Sequence, residues 1–168
     1  MKVIFSHGKE TGPMGRKIQV LSKVAENLGL KTQSIDYRES LDPDFRANKL
    51  IDLLKKEKDD VLLVGSSMGA YVSILASEEV DVKGLFLLAP ALYLEGYAKQ
   101  NFGNLVKNTE IFHGWSDDIV PVENAIKYST TVKCSINILE ADHGLSEPHV
   151  LSVIESRFKA YLQEIIQN

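Results

Sequence analysis

One serine stands inside a G-x-S-x-G pentapeptide, Gly65-Ser66-Ser67-Met68-Gly69, and its surroundings suit the chemistry this pattern serves. A serine hydroxyl attacks a carbonyl carbon efficiently only when a base removes its proton. An acid must orient that base, and backbone N–H groups must receive the oxyanion. Before the pentapeptide runs the apolar, β-rich stretch Val61-Leu62-Leu63-Val64, and after it Ala70-Tyr71-Val72-Ser73-Ile74-Leu75-Ala76 reads as a helix. A strand-turn-helix with serine at the turn predicts a nucleophile elbow, with the Ser67 hydroxyl held out at the carboxyl end of a sheet. Gly65 and Gly69 leave room where strand and helix approach.

The chain offers a candidate for each remaining part. The acid is expected in His113-Gly114-Trp115-Ser116-Asp117-Asp118-Ile119-Val120-Pro121, directly after a predicted strand. Asp117 is preferred to Asp118, although the pair could instead cap a helix ahead of Pro121. The base is expected to be His143, in a loop between the last predicted strand and the last predicted helix. Its neighbour Asp142 is read as loop structure, because adjacent residues rarely face each other in the required geometry. Two N–H groups should form the oxyanion hole: Met68, after the nucleophile, and Lys9, in the loop Ser6-His7-Gly8-Lys9-Glu10-Thr11-Gly12-Pro13. Gly8, Gly12 and Gly15 fit neither phosphate-binding glycine pattern. His7 and His113 end strands before glycine and are expected to shape loops through backbone hydrogen bonds. His149 should face solvent or cap the last helix. His7, Tyr93, Tyr97 and Trp115 are candidates to contact substrate.

Elements must bring these residues together. Strands are expected at 3–6, 32–35, 61–65, 84–89, 109–113 and 135–139. Runs such as Leu85-Phe86-Leu87-Leu88-Ala89 suit strands covered on both faces of a parallel sheet. Helices are expected at 15–28, from Pro43 through Phe45, Leu50, Ile51 and Leu54, at 67–77, at 121–129 and at 147–166. The last should bury Val150, Val153, Ile154, Phe158, Tyr161, Leu162 and Ile165. This alternation predicts an α/β/α sandwich on a mostly parallel sheet. Residues 90–104 read as one long irregular piece, either a lid or a packed connector.

At 168 residues and net charge -4, one domain spanning 1–168 is expected, without a basic stripe for nucleic acid. No signal peptide or membrane span is visible, which suggests the cytoplasm. Cys134, the single cysteine, has no partner for an internal disulfide and reads as a small core residue. No His/Cys/Asp spacing suits a metal, so neither metal nor organic cofactor is expected.

The His7-Gly8 loop, the 65–69 elbow, His113-Gly114-x-x-Asp117-x-x-Val120-Pro121 and His143 together resemble the α/β-hydrolase superfamily. The H-G-x-x-D-x-x-V-P form is similar to dienelactone hydrolases, small carboxylesterases and the catalytic domains of prolyl-oligopeptidase-type peptidases, and the chain as a whole resembles very small bacterial esterases. The order Ser67, Asp117, His143 follows that of the superfamily. The resemblance implies a six-stranded sheet in the order 2-1-3-4-5-6, lacking the two N-terminal antiparallel strands of the full fold. It implies a shallow, open site and hydrolysis of a small acyl ester or thioester, in a monomer or homodimer. A non-catalytic binding module, an acyltransferase and a peptidase using the same triad are the alternatives.

Overall fold

The computed structural model describes residues 1–103 and 106–167. In chain order the elements are β1 (Lys2–Ser6), α1 (Arg16–Asn27), β2 (Lys31–Ile35), α2 (Pro43–Leu54), β3 (Val61–Ser66), α3 (Met68–Glu79), β4 (Gly84–Leu88), β5 (Thr109–Gly114), α4 (Val122–Val132), β6 (Ser135–Leu139) and α5 (Pro148–Ile166). The six strands form one sheet in the order β2-β1-β3-β4-β5-β6. Every pairing is parallel. This is the expected minimal α/β-hydrolase arrangement.

Strand alternation splits the core into two layers. Ile4, Leu63, Leu85, Leu87 and Ile111 point to α2, α3 and α4. Their neighbours Val3, Phe5, Leu62, Val64, Phe86, Leu88 and Phe112 point to α1 and α5. Burial on both faces explains why β3 and β4 read as continuous apolar runs.

Two helix faces differ from expectation. On α2 the buried stripe is Arg46, Ala47, Leu50 and Leu54, while Phe45 is 44% exposed. On α5, Leu151 is buried and Val153 is 49% exposed. In both cases the apolar residue falls outside the stripe that faces the sheet. Cys134 lies just before β6, packed against the α2/α3/α4 layer, where burial pushes its thiol up to about 11.

The irregular piece after β4 is largely a packed connector: Leu92 and Phe102 are buried, and Tyr71 Oη accepts from the Lys99 N–H at 3.0 Å. Its expected last residue, Asn104, lies outside the described residues. Among the described residues no helix is long and apolar enough to cross a membrane.

Candidate active site

The carboxyl ends of β1, β3, β5 and β6 converge on one edge of the sheet, and their loops carry the candidate residues. Ser67, between β3 and α3, has φ 55 and ψ -119, a conformation L-residues rarely adopt. Such backbone costs of order 1–3 kcal/mol and persists only when its surroundings impose it. Here the Ser67 N–H donates to Leu88 O at 2.8 Å, and Ser67 O accepts from Ala70, Tyr71 and Ala91. A Cβ on Gly65 would run into the backbone of Gly69 and Ala70, and one on Gly69 into Ser6 and His7. Gly69→Ala is therefore expected to destabilise the fold by roughly 3 kcal/mol. In a chain of this size that lowers Tm by roughly 6–12 °C. Thermal unfolding followed by circular dichroism checks this, and an unchanged Tm would refute the close-approach argument.

Ser67 Oγ lies 3.0 Å from His143 Nε2, and His143 Nδ1 lies 2.7 Å from Asp117 Oδ2. The carboxylate can only accept, so Nδ1 carries the proton and Nε2 is left to accept from the serine hydroxyl. The Asp117 side chain has no solvent exposure, whereas Asp118 is exposed. Asp117 Oδ1 accepts from the N–H groups of Ile119 at 3.0 Å and Val120 at 2.7 Å. Both carboxylate oxygens are thus engaged, and the acid cannot swing. Asp142 instead accepts from the Gly144 N–H at 2.7 Å and shapes the turn after His143.

Two buried histidines support these loops. His7 Nδ1 donates to Gly8 O at 2.7 Å, and Nε2 accepts from the Tyr37 N–H at 3.0 Å. His113 Nε2 donates to Val120 O at 2.9 Å and stands 3.0 Å from Asp117 Oδ2. That second contact goes beyond the backbone role expected of His113. Burial lowers the pKa of both histidines, which favours the neutral rings these bonds require.

The loop after β1 passes beside Ser67: a Cβ on Gly8 would lie 3.5 Å from Ser67 Cβ. Among the described residues no backbone carbonyl takes up the Met68 or Lys9 N–H. Arg46 fixes this loop from behind. Its fully buried guanidinium donates to Ser40 O at 2.7 Å, Gly8 O at 3.1 Å and Lys9 O at 3.2 Å. Sequence reasoning missed Arg46. The available signal was its helical spacing with Leu50 and Leu54, which puts a cation on an apolar stripe.

A cavity of about 640 Å³ opens onto Ser67 and His143. It is not the shallow site expected, because the gap between α1 and the sheet reaches inward to Phe5 and Leu21, both fully buried. Ile18, Val64 and Leu88 add to its apolar wall. Of the candidate substrate contacts, His7 and Tyr97 line it. Tyr93 and Trp115 do not. Tyr93 packs edge-on against Phe102 beneath Lys127 Nζ, and Trp115 is 60% exposed. His149 is exposed early in α5. Among the described residues no cluster of three His, Cys, Asp or Glu side chains could hold a metal ion.

The profile of an uncharacterised protein family, UPF0227, matches residues 2–118. No curated protein matches the sequence. Among solved structures, a Xanthomonas campestris pv. campestris protein of the alpha/beta hydrolase superfamily is 25% identical, covering 97% of this chain and 98% of its own, with a TM-score of 0.86. Est1E from Butyrivibrio proteoclasticus is 21% identical over 99% of this chain and 88% of its own, with a TM-score of 0.82. A lidless alpha/beta serine hydrolase, also from Xanthomonas campestris, is 17% identical over 99% of this chain and 80% of its own, with a TM-score of 0.77.

Proposed function

This chain belongs to the uncharacterised protein family UPF0227 and has the α/β-hydrolase fold, and from that premise we propose that it is a serine hydrolase of small acyl esters or thioesters. The observation that carries the reading is the continuous chain Ser67 Oγ, His143, Asp117, at 3.0 and 2.7 Å, opening on a cavity with an apolar wall. The names of the structural neighbours support it: one is a serine hydrolase without a lid.

In the proposed reaction His143 Nε2 takes the Ser67 proton as Oγ attacks the acyl carbon. The carbonyl electron pair moves onto oxygen, where the Met68 and Lys9 N–H groups hold it. Met68 opens α3, so the positive end of the helix dipole adds to its donor. Collapse of the tetrahedral adduct expels the alcohol or thiol, which receives the proton from His143, and leaves an acyl-serine. Water attacks that ester with His143 again as base, and the acid departs as Ser67 is restored. Asp117 keeps the proton on Nδ1 and faces the imidazolium that forms in each half-reaction. Arg46 and His7 hold the carbonyls of the β1 loop outward, so that the Lys9 N–H turns toward the site.

The test is labelling by a fluorophosphonate probe, with turnover of p-nitrophenyl butyrate, on wild type, Ser67→Ala and His143→Ala. Wild type should label and turn over, Ser67→Ala should do neither, and His143→Ala should lose both by several orders of magnitude. A folded wild type that neither labels nor turns over would sink the proposal in favour of a binding role.

A further inference from the structure

The cavity holds a cation that the proposed reaction does not use. Lys17, the second residue of α1, lines the same space as Ser67 and His143. Its Nζ donates to Gly144 O at 2.5 Å, next in sequence to the candidate base. An ammonium has three donors, and among the described residues the other two meet no protein acceptor. Nor does Lys17 form an ion pair with any described carboxylate. The acids around it are Asp117, Asp142 and Glu147, which act on it at longer range. Asp117 is committed to His143 and to two N–H groups, and Asp142 to the Gly144 N–H, whereas the buried Oε2 of Glu147 has no hydrogen-bond partner and still stops short of ion-pair contact with Lys17.

A partly buried ammonium with no carboxylate in direct contact is costly, and proteins rarely keep one without a use. Anchoring Gly144 would need a single neutral donor. The surroundings extend the positive character. Lys9 and Arg16 line the same cavity against a single acid, Glu10. The first turn of α1 carries no acidic residue and no side-chain cap, so its N-terminal dipole also stands unopposed.

Resting on the hydrolase reading, we infer that Lys17 forms an anion subsite and that the substrate is an ester carrying a carboxylate on one side of the scissile bond. The apolar wall takes the intervening carbons, and the carboxylate meets the two open donors of Lys17. No step of the reaction changes: Lys17 binds and orients, and the substrate carboxylate supplies a counter-charge in direct contact. A hydrogen bond to a charged partner in such a setting is enough for selectivity of about tenfold or more.

Two matched pairs of esters test this and separate acyl from alcohol side. Mono-p-nitrophenyl adipate is compared with p-nitrophenyl hexanoate, and 4-(carboxymethyl)phenyl hexanoate with 4-methylphenyl hexanoate. The quantity read is the ratio of kcat/KM within each pair, so a general loss of activity cancels. Wild type should favour the carboxylated member of one pair by about tenfold or more. That ratio should fall toward one in Lys17→Met and in Lys17→Gln, the latter keeping a donor for Gly144 O, and recover in Lys17→Arg. Ratios near or below one in both wild-type pairs would overturn the subsite, as would a preference that survives loss of the charge. If the neutral esters turn over and Ser67 labels while the ratios stay flat, the subsite alone is lost. If no ester turns over and Ser67 does not label, the hydrolase reading falls and the subsite with it.

Discussion

Asp117→Asn is expected to lower kcat by about 10⁴ while the protein stays folded. An amide at this position can still accept from the Ile119 and Val120 N–H groups through its oxygen. Its nitrogen then faces His143 Nδ1 in place of the carboxylate oxygen now 2.7 Å away. Two donors cannot share one bond, so the imidazole moves its proton to Nε2, where it blocks acceptance from Ser67. The imidazolium formed during acylation also loses the negative charge beside it. Asp118→Asn is expected to change kcat by less than about threefold, because that side chain is exposed and outside the Ser67–His143 chain. Steady-state kinetics of both variants on p-nitrophenyl butyrate, with urea midpoints beside them, make the comparison. A severe Asp118 variant beside a near-normal Asp117 variant would overturn the assignment of the acid.

Arg46→Met should act through the oxyanion rather than through binding. The guanidinium is the common donor to Ser40 O, Gly8 O and Lys9 O. Once it is removed, Ser40 O and Lys9 O lose this donor and Gly8 O is held by His7 Nδ1 alone, which loosens the peptide plane carrying the Lys9 N–H. Loss of one oxyanion donor costs about 10²–10³ in kcat, and that is the expected range, with KM within about threefold of wild type. The kcat and KM values on p-nitrophenyl butyrate check the split. Arg46→Lys should recover part of the loss, since an ammonium can reach some of the carbonyls but lacks the flat fork that serves three. A rise in KM at unchanged kcat would show that Arg46 supports substrate binding and not the donor.

The residues whose placement was legible in advance share one property: their position is fixed by the ends of elements. Ser67 follows a strand and opens a helix, Asp117 follows β5 and His143 follows β6, so strand order alone brings them to one edge. The α/β alternation was equally plain, because strands covered on both sides are apolar throughout. What escaped depends on contacts between segments far apart in sequence. Arg46 reaches back 37 residues to Lys9 O, and Lys17 reaches forward 127 residues to Gly144 O. No local pattern encodes either distance. Tyr93 and Trp115 failed to reach the cavity for a related reason. An aromatic near a strand end is directed by its own turn, and Tyr93, at φ 56, is turned toward Phe102.

The proposed base, His143, hangs from the least protected part of the sheet. β6 is an edge strand whose residues are all exposed or only partly buried, and it pairs with β5 alone. Edge segments of this kind open locally at a free energy well below that of global unfolding. Each such opening would carry the His143 loop away from a Ser67 that stays locked between β3, β4 and α3. Under the proposed reaction the working form is a subset of the folded ensemble, and its turnover follows the fraying equilibrium of one edge. Warming or mild denaturant should silence it while the central strands still protect their amides from exchange.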